Sequence, residues 1–138
     1  MTNRDLAADY LLRAKIRIKA IQTLEQEGGY ADVVRECQEL VELVMKAMLR
    51  RAGIEPPHWH DVSSILEENR IRFPRLSDGD TERLVKLSKA LRKERELSFY
   101  GDEDYIPSEE YTLADAQKFR FECEWMLGAV DGWIQAAP

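Results

Sequence analysis

The stretch TLEQEGGYADVVRECQELVELVMKAMLRRAG, residues 23–53, decides how the rest of the chain is read. Paired glycines, Gly28 and Gly29, interrupt an otherwise unbroken periodic pattern, and such a pair favours a helix C-terminal cap followed by a turn. Beyond the turn, Val34, Cys37, Val41, Val44 and Met48 recur at steps of three and four. Val33, Leu40 and Ala47 widen this stripe into an arc that can touch two neighbours at once. The spacing therefore predicts a central helix over about Tyr30 to Ala52, ended by Gly53.

Upstream, Leu6, Tyr10, Ala14, Ile18, Ile21 and Leu24 keep one face of a helix inward from Asp5 to about Glu27. Lys15, Arg17 and Lys19 fall on its other faces. Downstream, the two prolines of GIEPPHWHD hold an extended loop before a short helix around Val62 to Asn69. RIRFPRLSDGD is a second irregular connection. A third long helix starts near Asp80 and carries Leu84, Leu87 and Leu91. The fourth starts at Thr112, which with Asp115 resembles a capping box, and shows Ala116, Cys123, Leu127, Val130 and Ile134 at helical spacing. Four long helices with mostly short connections imply an all-α fold, an up-and-down antiparallel four-helix bundle with an additional short helix.

Bulk composition agrees. With 138 residues the expectation is a single domain over 1–138, and 44% hydrophobic with 33% charged residues suits a helical globule. The formal net charge of -6 argues against general affinity for polyanions, yet 20 Lys and Arg are available for a local basic site. Cys37 and Cys123 sit in apolar stripes without a CxxC or Cys/His grouping, so they read as small core residues. The N-terminal stretch is too charged for a secretory leader, and no window approaches the ~18 apolar residues of a membrane span, which places the expected location in the cytoplasm.

The third helix contains the main anomaly. At 100° per residue from Leu84, Leu91 lies at about -20°, Arg95 at about +20° and Ser98 at about -40°. Arg95 is thus expected in the centre of the apolar stripe, with Arg92 flanking it. An arginine there must meet a carboxylate, carbonyls or an anion. It is either part of an internal salt bridge or one arm of an anion site with Arg92, Ser98 and Tyr100, where a guanidinium grips phosphate bidentately.

Other residues carry weaker signals. His58, His60 and Asp61 suggest a metal, but no further ligand is identifiable, and Asp61 as the cap of the short helix is the better reading. The acidic run Asp102, Glu103, Asp104 with Glu109 and Glu110 lacks calcium-loop spacing and reads as a solvated, mobile loop. Phe121 and Trp125, at i, i+4 spacing away from the core stripe of the fourth helix, mark either a partner surface or a second core contact. Arg120, near the inner stripe, is expected to pair with an acid. No P-loop or GxGxxG occurs, and no metal or cofactor is implied.

The segment ADYLLRAKIRIKAIQTLEQEGGYADVVRECQELVELVMKAMLRRAGIEPPHWHDV, with its Gly-Tyr turn, its long helix bearing Gln38, Glu39, Glu42 and Lys46, and its Gly, Pro and His-Asp ending, resembles the HEPN (higher eukaryote and prokaryote nucleotide-binding) domain family of small helical bundles from prokaryotic toxin-antitoxin and defence loci. The resemblance implies nucleotide or RNA binding, a homodimer that brings motif arginines towards one cleft, and a minimal nucleotidyltransferase as partner. In RNA-cleaving members, metal-independent endoribonucleases, the motif is an arginine, a polar residue and, after four to six intervening residues, a histidine. Arg95 and Glu96 match its first two positions. Tyr100 stands after four intervening residues and Asp102 after six, so the histidine is replaced. Tyrosine, with an ordinary pKa near 10, is a poor substitute as a base, although it can orient a phosphate or donate a proton. In some pairs the partner adenylylates a tyrosine near the motif, for which Tyr100 and Tyr105 are candidates by position.

Overall fold

The computed structural model describes residues 2–58, 61–73 and 75–136; the side chains of residues 96, 135 and 136 also lie outside the description. Thr2 starts the first helix with a reciprocal cap: its Oγ1 accepts from Asp5 N at 3.1 Å while the Asp5 carboxylate accepts from Thr2 N at 2.9 Å. This helix, α1 (Asn3–Gln26), ends where Gly28 takes φ 82° and Gly29 N donates to Leu24 O at 2.8 Å. α2 (Tyr30–Arg51) follows at once, then α3 (Val62–Glu68), a single 3-10 turn at Arg70–Arg72, α4 (Asp78–Phe99), α5 (Pro107–Glu110) and α6 (Leu113–Ala136). The expected cap of α6 is present, with Thr112 Oγ1 accepting from Asp115 N at 3.2 Å and Asp115 Oδ2 accepting from Thr112 N at 2.9 Å. α4 begins slightly earlier than its periodicity suggests, because Ser77 Oγ accepts from Asp80 N at 3.0 Å and so stabilises its first turn.

α2 is the hub. It buries Val33, Val34, Cys37, Leu40, Val41, Val44, Met45, Ala47, Met48 and Leu49 and packs against α1, α4 and α6. The wide arc in its sequence is therefore used on several sides. α1 also packs on α6, and α3 lies against α2 and α4.

Polar cross-links set the helix directions. Asn3 and Arg17 of α1 reach Arg50 and Glu36 of α2. Lys15, Gln22 and Glu25 of α1 meet Asp131, Glu124 and Arg120 of α6, and Arg35 and Glu42 of α2 meet Phe99 and Arg92 of α4. In each pair of helices the partner's number falls as the first residue's rises, as it does between antiparallel neighbours.

The acidic run is solvated as expected, with Asp102, Glu103, Asp104, Glu109 and Glu110 exposed, and its backbone is turned: Gly101, at φ 72°, leads the chain out of α4, and Asp102 and Tyr105 then exchange two backbone hydrogen bonds of 3.0 and 2.9 Å. Glu103 N adds a bond of 2.7 Å to Asp102 Oδ1. Only glycine fits at 101, since an added Cβ would sit 2.4 Å from Tyr105 O and 2.7 Å from Pro107 Cδ. One expectation is corrected: Arg95 is exposed rather than central to the apolar stripe. The angular argument assumes equal cover along the whole of α4. Leu84, Leu87 and Leu91 are indeed buried, and so is Val85 on the flank near α3. Beyond Arg92 that flank meets polar residues of α2, Glu42 at Arg92 and Arg35 at Phe99, whereas on the opposite one the Tyr111 hydroxyl donates to Glu94 at 2.6 Å.

Candidate functional site

The last two turns of α4 and the first turns of α2 enclose an open recess of about 480 Å³, lined by Arg35, Arg92, Lys93, Arg95, Phe99 and Tyr100. Three of the residues expected from the sequence, Arg92, Arg95 and Tyr100, thus come together. The antiparallel register of α2 and α4 brings Arg35 to the same place. Four cations share the rim, and no carboxylate belongs to its described lining.

Their charges are not equivalent. Arg35 is paired with Glu39 one turn along α2, and its guanidinium lies 4.8 Å from the centre of the Phe99 ring. Arg92 donates to Glu42 Oε1 at 3.2 Å, and Glu42 is itself held by the buried Gln38, whose Nε2 donates to it at 2.7 Å. The charge of Arg92 also reaches Asp61. There, burial pushes the carboxyl up, but hydrogen bonds from Ser63, the Arg92 charge and Ser64 prevail, so Asp61 sits below its ordinary value. Arg95, by contrast, makes no ion pair among the described residues and lies exposed in the lining of the recess. Lys93 is likewise exposed. Uncompensated charge on Lys93 and Arg95, backed by two braced arginines, is an arrangement for binding an anion.

The remaining expected residues are distributed differently. Ser98 is buried and its Oγ donates to Arg95 O at 3.2 Å, so its hydroxyl serves the helix backbone and does not line the recess. This corrects its place in the phosphate-binding set: the helical angle of Ser98 predicts burial, and a buried serine hydroxyl in a helix turns to the carbonyl one turn back. The Glu96 side chain lies outside the described residues. Tyr105 is half-buried, edge-on to Tyr111 at 6.0 Å between ring centres, and stands apart from the recess. Arg35 is absent from the sequence-based set because nothing local marks it; its i, i+4 pairing with Glu39 looks like an ordinary surface pair.

Elsewhere, Asp61 caps α3 as expected, accepting from Ser63 N at 3.0 Å. His60 lies outside the described residues, and among these no group of three or more His, Cys, Asp or Glu gathers to hold a metal ion. Arg120 pairs with Glu25 and Glu124, both at 2.8 Å. The Phe121 and Trp125 pair is divided: Phe121 is exposed beside Arg120, whereas Trp125 packs on the core under Arg83, 3.8 Å from its ring centre. Cys37 and Cys123 are free and fully buried.

An all-helical protein with an arginine-rich recess at the end of its fourth helix defines a broad class. The family is specific: the family model described as HEPN domain matches residues 7–133, nearly the whole chain, and the chain belongs to this family. No curated protein and no solved structure gave a match. No helix among the described residues is long and apolar enough to cross a membrane.

Proposed function

We propose that this protein binds a phosphate-bearing ligand, a nucleotide or RNA, in the recess around Arg95, with Arg95 and Arg92 gripping the phosphate and Arg35 and Lys93 completing the positive rim. One observation carries this reading: an exposed arginine without an ion pair, in the family's motif position, stands among three further cations with no carboxylate in the described lining. In an acidic protein such local convergence overrides the net charge at short range, because charges beyond about 10 Å are screened at ordinary salt.

Several parts of this reading come from family membership: residues 1–138 as one domain, a homodimer, a minimal nucleotidyltransferase partner that modifies Tyr100 or Tyr105, and a toxin-antitoxin or defence role in the cytoplasm. The up-and-down four-helix arrangement is supported by the antiparallel cross-links of α1, α2, α4 and α6.

The test is binding of labelled AMP and of a short labelled RNA by wild-type protein and Arg95→Ala. A charge-assisted hydrogen bond contributes about 1.5–3 kcal/mol, and at this exposed position the lower half of that range, roughly a tenfold to fortyfold loss of affinity, is expected. Unchanged affinity would defeat the proposal. A second reading, metal-independent RNA cleavage by Arg95, Glu96 and Tyr100, is favoured by Tyr100 sharing the recess with Arg95. It is weaker, because none of the described lining residues is of a type that normally titrates near neutrality. Incubation with structured and single-stranded RNA in EDTA decides it: equal inactivity of wild type and Arg95→Ala rejects cleavage.

A further inference from the structure

Beside the four cations, the recess offers two exposed aromatic side chains. Tyr100 is 76% exposed and Phe99 50% exposed. They are not loose: the two rings meet edge-on, 4.5 Å between centres at 77°, and Phe99 is braced from α2 by the Arg35 guanidinium. Immediately after Tyr100 the chain is fixed by Gly101 and the bridged Asp102–Tyr105 turn. An exposed phenol ring directly beside uncompensated positive charge offers two surfaces to one ligand, a flat apolar one and a cationic one. The Tyr100 hydroxyl makes no hydrogen bond among the described residues, so the ring and not the hydroxyl is the built feature.

We infer that Tyr100, standing where a histidine is replaced, is a stacking platform for an unpaired nucleobase whose phosphate is held by Arg95 and its neighbours. The inference rests on the anion-binding reading above and narrows it. Every base has a π-face, so stacking is tolerant of sequence, but a base inside a duplex has both faces covered and cannot use the platform. The ligand class is therefore an exposed base carrying phosphate, either a free nucleotide or an unpaired stretch of a strand. A recess of about 480 Å³ falls within the roughly 300–1,000 Å³ of small-molecule sites.

The experiment measures affinity of the full chain for four probes: AMP, ribose 5-phosphate, an eight-nucleotide single-stranded RNA and the same sequence as a duplex. Wild type, Tyr100→Phe, Tyr100→Ala and Arg95→Ala are compared, with circular dichroism checking the fold of each. Stacking predicts that Tyr100→Phe binds like wild type, and that Tyr100→Ala loses about five- to a hundredfold on AMP or single-stranded RNA without weakening ribose 5-phosphate. The duplex should bind more weakly than the single strand. Tyr100-dependent binding of AMP alone identifies a free nucleotide as the source, and stronger Tyr100-dependent binding of the strand identifies RNA; either supports the inference. A Tyr100→Ala variant as tight as wild type, a Tyr100→Phe variant as weak as Tyr100→Ala, or a duplex equal to the single strand overturns it. If affinity falls in Arg95→Ala but not in Tyr100→Ala, only the stacking inference fails. Binding indifferent to Arg95, or no binding of any probe, removes the anion reading and the inference together.

Discussion

Arg120→Ala should be the most damaging single charge removal away from the recess. Its guanidinium joins α6 to α1, donating from Nε to Glu25 Oε1 and from the terminal nitrogen to Glu124 Oε1, each at 2.8 Å. Only 15% of the Arg120 side chain and 14% of Glu25 are exposed. The Glu25 hydrogen bond pushes the guanidinium above its ordinary value, outweighing burial, and Glu124 adds to it. Truncation leaves Glu25 largely covered and unpaired. Breaking a fully buried pair costs about 3–5 kcal/mol and breaking an exposed one about 0–1, so this pair, closer to the buried limit, should cost roughly 2–3 kcal/mol. For a chain of this size that is a fall of roughly 6–12 °C in the melting temperature.

Thermal and urea unfolding followed by circular dichroism measure this directly. Glu25→Ala should cost a similar amount, and the double variant should be little worse than either single one, since the same contact is lost. Arg83→Ala provides the contrast. Its pair with Glu122 is more open, with side chains 44% and 31% exposed, so even with the Trp125 contact a clearly smaller loss than for Arg120→Ala is expected. Equal losses for Arg83→Ala and Arg120→Ala, or a loss for Arg120→Ala under about 0.5 kcal/mol, the range of an ordinary surface substitution, would refute the argument from burial.

Gly101→Ala must leave the left-handed region and displace backbone at 2.4 Å; a loss of at least about 1 kcal/mol is expected, with faster amide exchange over residues 102–111 than in α2. The Tyr111 hydroxyl is raised above its ordinary value, first by burial and then by its bond to Glu94 and by Tyr105. The unfolded chain therefore loses this proton before the folded one does, and the associated stability, complete below about pH 10, declines above it. Tyr111→Phe should flatten that alkaline decline in urea midpoints measured from pH 8 to 11. Asp61→Ala removes the α3 cap and should cost about 0.5–2 kcal/mol. Because Asp61 lies below its ordinary value, its contribution is present above the unfolded carboxylate range, near 3.8, and is lost as pH falls through and below it; the variant's stability should therefore depend less on pH in that range.

Features written in local chemistry are legible in the sequence itself. Thr112 and Asp115 carry their cap in their spacing, Gly28 and Gly29 carry their turn, and the apolar arc of α2 is as wide as the number of helices it touches. Arg95 marks where such reading stops. Exposure depends on what faces a given angle, and the α2 residues at this end of α4 are the polar Arg35 and Glu42. Arg35 failed to register for the same kind of reason, since only the α2–α4 register places it opposite Phe99. Ser98 was half legible: its angle gave burial, but the choice of hydrogen-bond partner belongs to the helix backbone. α5 is only four residues, too short to show a period.

Cys37 and Cys123 acquire a use from their position. They lie on α2 and α6 with no exposed surface, and Cys123 Sγ is 3.9 Å from Cys37 O. The neighbouring Cys37 thiol and burial together push the Cys123 thiol up, away from the reactive thiolate form. Alkylation of either sulfur therefore has to wait for α2 and α6 to part. The native chain thus contains its own pair of clocks: under iodoacetamide, intact mass should advance by two additions at one common rate set by opening of the helix pair. A ligand that binds the native recess should slow that rate in proportion to its occupancy, so thiol protection can report binding without a label on either partner.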